Sequence, residues 1–221
     1  MTYLVNEIFT TIQGEASFAG TPSVFIRLQG CDVGCAFCDT KHTWARKTED
    51  QISVDDMLAK AVEAPTHALM DAAQIIKAIT PHSVRHAVIT GGEPADYDLF
   101  PLTDALLEAG FMPQVETSGT SEIRVHAATF VTLSPKIGMP GKKPVLRQVV
   151  ERADEIKHPA AIEPHLRALQ QLLAMGWHRG DIPIWLQPLS QSPTATRRCT
   201  EWCIKHGYRL SIQTHKFIGL R

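Results

Sequence analysis

Short apolar segments rich in β-forming residues alternate along the chain with segments whose apolar residues recur at helical spacing. The predicted strands lie at residues 3–9, 23–29, 86–90, 112–116, 129–133, 153–157, 182–186 and 208–212. The predicted helices lie at residues 53–63, 69–79, 98–109, 162–175 and 193–206. Strands joined by helical crossovers pack side by side in one direction, so this pattern predicts an α/β fold with a mainly parallel sheet.

Polar or small residues follow most of the predicted strands. They are Thr90 to Glu93, Thr117 and Ser118, Ser134 to Lys136, Gln187, and Gln213 to His215. Because the carboxyl ends of parallel strands meet at one edge, these residues are expected to line an active site there, as in barrel-type α/β folds. The chain is short for a complete eightfold barrel, and a partial barrel of about six βα units fits better. No linker or internal repeat divides the chain, so residues 1–221 are predicted to form a single domain.

Composition excludes several classes of protein. The formal net charge is −1 and no long run has one sign, which argues against a surface that coats nucleic acid. No apolar segment approaches the ~18 residues of a membrane span, and the first residues lack the basic and apolar regions of a secretory signal. The 5 cysteines are odd in number and unevenly spaced, which suits a reducing compartment. The sequence therefore predicts a cytoplasmic protein that binds neither membranes nor nucleic acid directly.

Three cysteines follow the second predicted strand within eight residues. Cys31, Cys35 and Cys38 have the spacing C-x3-C-x2-C, and Gly30 and Gly34 would let the loop fold tightly around a small centre. Three thiolates cannot all pair with one another, so a disulfide framework explains them poorly. Soft thiolates favour zinc, copper(I) or iron–sulfur clusters over hard cations.

These cysteines fit more than one kind of centre. Structural zinc sites have four protein ligands, and His42 could complete a Cys3His knuckle. An iron–sulfur cluster held by three cysteines leaves one iron open to bind a ligand. A redox pair at Cys35 and Cys38 would follow the C-x-x-C pattern, but it leaves Cys31 unexplained.

Two further features concern residues outside this loop. Arg27 interrupts an apolar strand, which is costly unless the guanidinium pairs with a protein carboxylate or faces a site for an anionic ligand. Cys199 and Cys203 lie at i and i+4 of a predicted helix with no third soft ligand nearby, so they are predicted to be buried free thiols.

The motifs resemble those of a known superfamily. The cysteine spacing, with Phe37 before the last cysteine, resembles the signature of radical S-adenosylmethionine enzymes, and residues 91–94 (Gly-Gly-Glu-Pro) resemble their motif for the methionyl amino group. More closely, the chain resembles the 7-carboxy-7-deazaguanine synthases of the queuosine pathway. The matching segments are residues 6–9, 12–15, 25–31, 38–42, 88–94, 116–120, 134–136, 186–188 and 213–216. Matching is weaker in residues 47–85 and 138–180.

The resemblance implies a reaction and its cofactors. The family converts 6-carboxy-5,6,7,8-tetrahydropterin to 7-carboxy-7-deazaguanine with loss of ammonia, as a carbon–nitrogen lyase. A 4Fe–4S cluster would hold S-adenosylmethionine, whose reductive cleavage gives a radical that takes hydrogen from the substrate. The resemblance also implies Mg²⁺, an electron donor such as a flavodoxin or ferredoxin, and a homodimer.

The family's pattern carries over onto particular residues. Cys31, Cys35 and Cys38 would ligate the cluster, and Thr40 would bind Mg²⁺. The cofactor would contact Ala36, Phe37, Cys38, Asp39, Gly92, Glu116, Ser118, Ser134, Pro135, Lys136 and Gln187. The pterin would contact Ile12, Gln13, Gly14, Glu15, Arg27 and Thr90.

Two other functions remain open at this point. One is a radical enzyme that activates a partner protein by taking hydrogen from a glycine, and the other is a non-catalytic zinc-binding module. Arg27 and the polar segment at residues 10–15 favour a small anionic substrate over a protein substrate.

Overall fold

The protein is represented by a computed structural model, which describes residues 1–220 and contains a nine-stranded sheet. The strands are β1 (Thr2–Ile12), β2 (Pro22–Leu28), β3 (Ala68–Asp71), β4 (His86–Gly91), β5 (Met112–Thr117), β6 (Phe130–Leu133), β7 (Glu155–Ala160), β8 (Ile184–Pro188) and β9 (Arg209–Leu210). The helices are α1 (Val54–Leu58), α2 (Ala72–Ile79), α3 (Phe100–Glu108), α4 (Arg147–Arg152), α5 (Glu163–Ala174), α6 (Pro193–His206) and α7 (Thr214–Phe217).

The strand order of the sheet is β3-β1-β2-β4-β5-β6-β7-β8-β9. From β2 to β9 each strand is parallel to its neighbour, whereas β1 is antiparallel to both β2 and β3. Parallel strands that are added in chain order curl a sheet in the manner of a barrel. The two edge strands, β3 and β9, do not pair, so the barrel is partial and the predicted fold class is confirmed.

The two faces of the sheet differ in polarity because successive side chains of a strand point to opposite sides. On the convex face, Ile26 and Ile89 pack in one apolar core with α2 and α3, and Leu186 packs in a second core with α5 and α6. The alternate positions point to the concave face and, from the middle of the strands to their carboxyl ends, several carry polar side chains. They include Arg27, Thr90, Glu116, Lys157 and Gln187. This alternation explains why Arg27 interrupts an otherwise apolar strand.

A segment at residues 13–18, called the crossing segment below, passes across the concave face of the sheet. Its Phe18 ring packs against His86 and Phe130, with ring centroids 4.4 and 4.8 Å apart, near the amino ends of β4 and β6. The other end of the segment contacts the start of α7, where the Thr214 N–H donates to the Gly14 carbonyl at 3.0 Å. The crossing segment therefore fills the amino end of the barrel and reaches its carboxyl end.

The structure corrects two of the predicted helices. The helix predicted at 53–63 ends at Leu58, and the one predicted at 69–79 begins only at Ala72. The residues before Ala72 form β3, which pairs with β1 at the edge of the sheet. Asp71 caps the start of the helix: its carboxylate accepts from the Gln74 N–H at 2.8 Å, and its own N–H donates to Gln74 Oε1 at 2.9 Å.

No helix in residues 1–220 is both long enough and apolar enough to cross a membrane. The structure contains a helix, α4, that the sequence did not predict. The strand β9 is two residues long, whereas a strand of five residues was predicted.

Candidate active site

The cysteine loop (residues 30–40) follows β2 directly and is anchored where it begins. The Gly30 N–H donates to the carbonyl of Thr43 at 2.6 Å, and the Gly30 carbonyl accepts from the N–H of Glu93 at 2.8 Å. Gly30 and Gly34 have φ of 107° and 73°, a conformation that glycine adopts without strain. These two glycines provide the tight loop that the sequence predicts.

The thiols of the loop are free. Cys31 and Cys38 are half-buried, and Cys35 is buried. Burial raises the pKa of Cys31 to about 11 and also raises the pKa of Cys35, although the positive charge of Lys136 partly offsets the second shift. Thiols ligate metals as thiolates, so a bound metal centre would itself have to favour their ionised form.

The cysteine loop supplies three soft sulfur donors. In residues 1–220, no group of three or more His, Cys, Asp or Glu side chains converges on one point that could hold a metal ion. A zinc ion needs four donors, with each sulfur about 2.3 Å from the same point, whereas the cysteines of a cluster bind different irons and stand farther apart. The imidazole of His42, the fourth donor of the knuckle, lies 3.8 Å from the carboxylate of Glu63.

Two glycines after β4 allow the neighbouring backbone to approach closely. A Cβ atom on Gly91 would lie 2.2 Å from the carbonyl oxygen of Leu28, and one on Gly92 would lie 2.1 Å from that of Gly30. Gly91 also has a φ of 125°. It is the cysteine loop, through the Gly30 carbonyl, that approaches Gly92.

Glu93 connects the ends of β4 and β5. Its carboxylate is 2% exposed and accepts hydrogen bonds from Ala95 N (2.9 Å), Thr117 Oγ1 (2.7 Å) and Ser118 N (2.8 Å). Burial raises the pKa of Glu93, and these donors oppose the rise. Glu93 thus holds the segment around Ser118 beside the cysteine loop.

An ion network lies at the centre of the concave face and consists of the buried Lys157 and the half-buried Glu15 and Glu116. The Lys157 ammonium donates to Glu15 Oε2 and, at 3.0 Å, to Glu116 Oε2. Burial alone would lower the pKa of Lys157, but the charges of Glu116 and Glu15 outweigh it and raise the pKa. Burial likewise opposes ionisation of Glu15, yet Lys157 lowers its pKa to about 2. Lys157 and Glu15 are therefore both charged at neutral pH.

Glutamine side chains occupy the remaining oxygens of this network. Gln13 Nε2 donates to Glu116 Oε1 at 3.0 Å. Gln213 and Gln187 donate to Glu15 Oε1 at 2.8 and 3.2 Å. The structure thus brings together two residues expected at the pterin (Gln13 and Glu15) and two expected at the cofactor (Glu116 and Gln187).

Arg27 is paired with a protein carboxylate. Its Nε lies 2.6 Å from Glu7 Oε1, and its guanidinium carbon lies 5.6 Å from the centroid of the Phe9 ring. Thr90 is the β4 residue opposite Arg27 in the sheet. Of the two explanations for an arginine in this strand, a protein ion pair is confirmed. The pair occupies Nε, and the terminal nitrogens are where a second carboxylate would bind in a two-point contact.

The other expected site residues lie around the cysteine loop and at the strand ends. The ammonium of Lys136 donates to Ser134 through the carbonyl (3.1 Å) and the hydroxyl. Thr40 Oγ1 lies 3.6 Å from Cys38 Sγ. The exposed Asp39 carboxylate accepts from Lys216 at 2.9 Å, so it is already engaged by a protein cation. Ala36 is exposed, Phe37 is half-buried, Pro135 is buried, Ile12 ends β1, and Gly14 lies in the crossing segment.

Lys157 is the functional candidate that sequence reasoning missed. The predicted strand 153–157 ended at this residue, whereas β7 continues to Ala160 and buries all six of its residues. The run Glu155-Ile156-Lys157 places charged residues at alternate positions of a buried strand. That signal, which is the same as the one at Arg27, could have identified the lysine.

Comparisons with known proteins agree with this geometry. The chain is 48% identical over 222 residues to the 7-carboxy-7-deazaguanine synthase of Escherichia coli strain K12, with 100% of both chains covered. It is 42% identical over 223 residues to the 7-carboxy-7-deazaguanine synthase of Buchnera aphidicola, again with 100% of both covered. The crystal structure of QueE from Escherichia coli aligns with a TM-score of 0.92 and 48% identity, covering 96% of this chain and 94% of that one. No protein-family model matches the chain.

A partial barrel with three free thiols after its first parallel strand, at the edge where the polar strand ends meet, defines a radical S-adenosylmethionine enzyme. The 48% identity to the Escherichia coli synthase over the whole chain then shows which family within this class the chain belongs to. The chain belongs to the 7-carboxy-7-deazaguanine synthase family.

Proposed function

We propose that this enzyme converts 6-carboxy-5,6,7,8-tetrahydropterin to 7-carboxy-7-deazaguanine and ammonia in queuosine biosynthesis. The family supports the reaction, and one observation on this chain supports it most directly. The charged concave face, with Arg27 and the network around Lys157, adjoins the loop that carries the three free thiols. A small, polar, anionic substrate suits such a face better than a polypeptide does.

We assign the cofactor residues on the same basis. Cys31, Cys35 and Cys38 would hold a 4Fe–4S cluster, and Gly92 leaves room for backbone contact beside it. When bound, the cluster and S-adenosylmethionine supply a 5′-deoxyadenosyl radical that takes hydrogen from the substrate. The remaining cofactor contacts are proposed at Ala36, Phe37, Asp39, Glu116, Ser118, Ser134, Pro135, Lys136 and Gln187.

The protein's own contribution is to bind and orient the pterin. Arg27 would grip its carboxylate while Glu7 fixes the plane of the guanidinium, and Thr90 lies beside it on the same face. Ile12, at the end of β1, and residues 13–15 of the crossing segment would contact the ring. Holding the reacting carbon in one orientation supplies the proximity that such a hydrogen transfer requires.

The experiment that tests the function is an anaerobic assay with reconstituted enzyme, reductant, S-adenosylmethionine and 6-carboxytetrahydropterin. We expect 7-carboxy-7-deazaguanine to form in a single product peak by mass spectrometry. Metal analysis of the same sample separates the alternatives, because a cluster gives about four irons per chain and a knuckle gives one zinc. A cluster-loaded enzyme that cleaves S-adenosylmethionine but leaves the pterin unchanged would contradict the proposal and favour a protein substrate.

Replacing Arg27 by lysine keeps the charge but removes the planar fork. We expect pterin affinity to weaken by about 1.5–3 kcal/mol, or roughly 10- to 150-fold, which is the scale of hydrogen bonds to a charged group. Affinity for S-adenosylmethionine should change little. The measurement is isothermal titration of the anaerobic enzyme with each ligand.

Glu7→Gln is the control for Arg27, because it weakens the ion pair without touching the guanidinium. If Arg27→Lys and Glu7→Gln lowered the melting temperature alike and left pterin affinity intact, Arg27 would be structural only.

We also propose that Thr40 binds Mg²⁺ together with substrate oxygens and water, the all-oxygen shell that this ion prefers. Thr40→Val should then raise the Mg²⁺ concentration for half-maximal turnover by about tenfold or more, while Thr40→Ser retains most of the response. Product formation is measured against Mg²⁺ concentration for the three proteins. The same Mg²⁺ dependence in wild type and Thr40→Val would remove Thr40 from the metal site.

The resemblance also supports proposals about partners and organisation. We propose that a flavodoxin or ferredoxin donates the electron, that the enzyme is a homodimer, and that it works in the cytoplasm. We further propose that residues 1–221 form one domain, since a single sheet takes strands from Thr2 to Leu210.

A further inference from the structure

We infer that Lys157 is a positioning residue that links the cofactor side of the active site to its substrate side, so that binding of either ligand strengthens binding of the other. This inference rests on the proposed function, because it takes the ligands to be S-adenosylmethionine and the pterin. The geometry that carries it is the bridge that one buried ammonium forms between two carboxylates from distant parts of the chain.

The bridge joins the two carboxylates directly through one ammonium, and Gln13 links the same two residues by hydrogen bonds alone, through the Glu15 N–H and the Glu116 carboxylate. Lys157 is 3% exposed and lies on the concave face of β7. Glu15 comes from the crossing segment and Glu116 from the carboxyl end of β5, and the ammonium donates to one oxygen of each. Glu15 stands among the residues proposed for the pterin, and Glu116 among those proposed for the cofactor.

The second oxygen of each carboxylate extends the linkage to both ligand sites. Glu116 accepts from Gln13, a residue proposed for the pterin, and Glu15 accepts from Gln187, a residue proposed for the cofactor. Each carboxylate is therefore bonded to a glutamine that is proposed to contact the other ligand. A ligand that fixes one carboxylate fixes the ammonium, and through it the other carboxylate.

Charge balance makes this bridge necessary. Two carboxylates and one ammonium leave the network with one negative charge. Without the ammonium, Glu15 and Glu116 would be two like charges side by side in a half-buried site, and one of them would take up a proton or turn away. Lys157 thus keeps both side chains ionised and in place, as acceptors for the N–H and O–H groups that these ligands carry.

The test measures binding, with the cluster held oxidised so that no turnover occurs. The dissociation constant of S-adenosylmethionine is determined by titration with and without saturating 6-carboxytetrahydropterin. We expect the pterin to tighten cofactor binding in the wild type by about fivefold or more, the usual lower range of coupling between sites. In Lys157→Met, which keeps the length and loses the charge, we expect the tightening to disappear, and in Lys157→Arg to persist in part.

Two controls separate positioning from stability. The double variant Lys157→Met/Glu116→Gln has the net charge of the wild-type network, so we expect it to recover the melting temperature that Lys157→Met loses but not the coupling. Glu155→Gln changes a buried acid on the same face of the same strand, two residues earlier, where it accepts from Ser17 and Thr132. It should lower the melting temperature and leave the coupling at the wild-type value.

The outcomes distinguish this inference from the proposed function. Coupling that is absent in the wild type, or retained in Lys157→Met or in the double variant, overturns the role of Lys157 even when the wild type forms product. A wild type that neither binds nor converts the pterin overturns the proposed function as well. Loss of coupling in Glu155→Gln to the same degree would reduce the role of Lys157 to general stability.

Discussion

Replacing Cys31, Cys35 or Cys38 by alanine should remove the cluster and with it all cleavage of S-adenosylmethionine. Three thiolates are the smallest protein ligand set for a cluster that keeps one iron open, so no partial activity is expected from any single variant. The expected result is a fall from about four irons and four sulfides per chain to a fraction of that content, with product below detection. Iron and sulfide analysis after anaerobic reconstitution provides the measurement.

Cys199→Ala is the matched control for these variants. Cys199 is buried in the second apolar core on α6, and its thiol lies 3.7 Å from the Ala160 carbonyl oxygen. Its replacement should leave iron content unchanged and at most lower the melting temperature. An iron-depleted Cys199→Ala protein beside an iron-replete Cys31→Ala protein would show that the cluster had been assigned to the wrong cysteines.

Gly92→Ala should nearly abolish activity although it adds only one methyl group. The new Cβ would lie 2.1 Å from the carbonyl oxygen of Gly30, and this contact involves backbone on both sides. Relieving it requires a shift of about 1 Å in the cysteine loop or in the turn after β4, and misplacement on that scale can cost about 100-fold in rate. We expect turnover to fall by at least that factor, with reduced cluster content and weaker cofactor binding.

The control for Gly92 is Gly180→Ala, because a Cβ at Gly180 would meet no atom within 4 Å. That variant should match the wild type in iron content, cofactor affinity and turnover. Wild-type behaviour of Gly92→Ala would mean that the cysteine loop is free to move away from β4, contrary to the packing described above.

Local patterns explain why much of this fold could be predicted from the sequence. The strands β2 and β4 and the helix α6 carry their own apolar periodicity, and the cysteine loop follows β2 within a few residues. The edge strand β3 was not predicted because its short apolar run adjoins α2 and has the pattern of the first turn of that helix. Only its pairing with β1, which no local pattern specifies, makes it a strand.

The active site was predictable only as far as its residues carry motifs. The cysteines and Gly92 are recognisable from their spacing alone. Lys157 could not be recognised in this way, because its role depends on Glu15, which is 142 residues away, and on the curvature of the sheet that brings the two together. Arg27 shows the intermediate case. Its need for a carboxylate follows from the apolar strand, but the choice of Glu7 follows from the antiparallel register of β1 and β2.

The contact between the crossing segment and residues 213 and 214 also sets an order of assembly during synthesis. Gly14 accepts from the N–H of Thr214, and Gln213 donates to Glu15, so the wall of the site is shared by residues that stand at least 198 positions apart in the sequence. A nascent chain therefore exposes its three thiols long before it can close the pocket around them. We therefore expect stable loading of the cofactors to need residues 213 and 214 in place, because until then the thiols lack the shelter of a completed site.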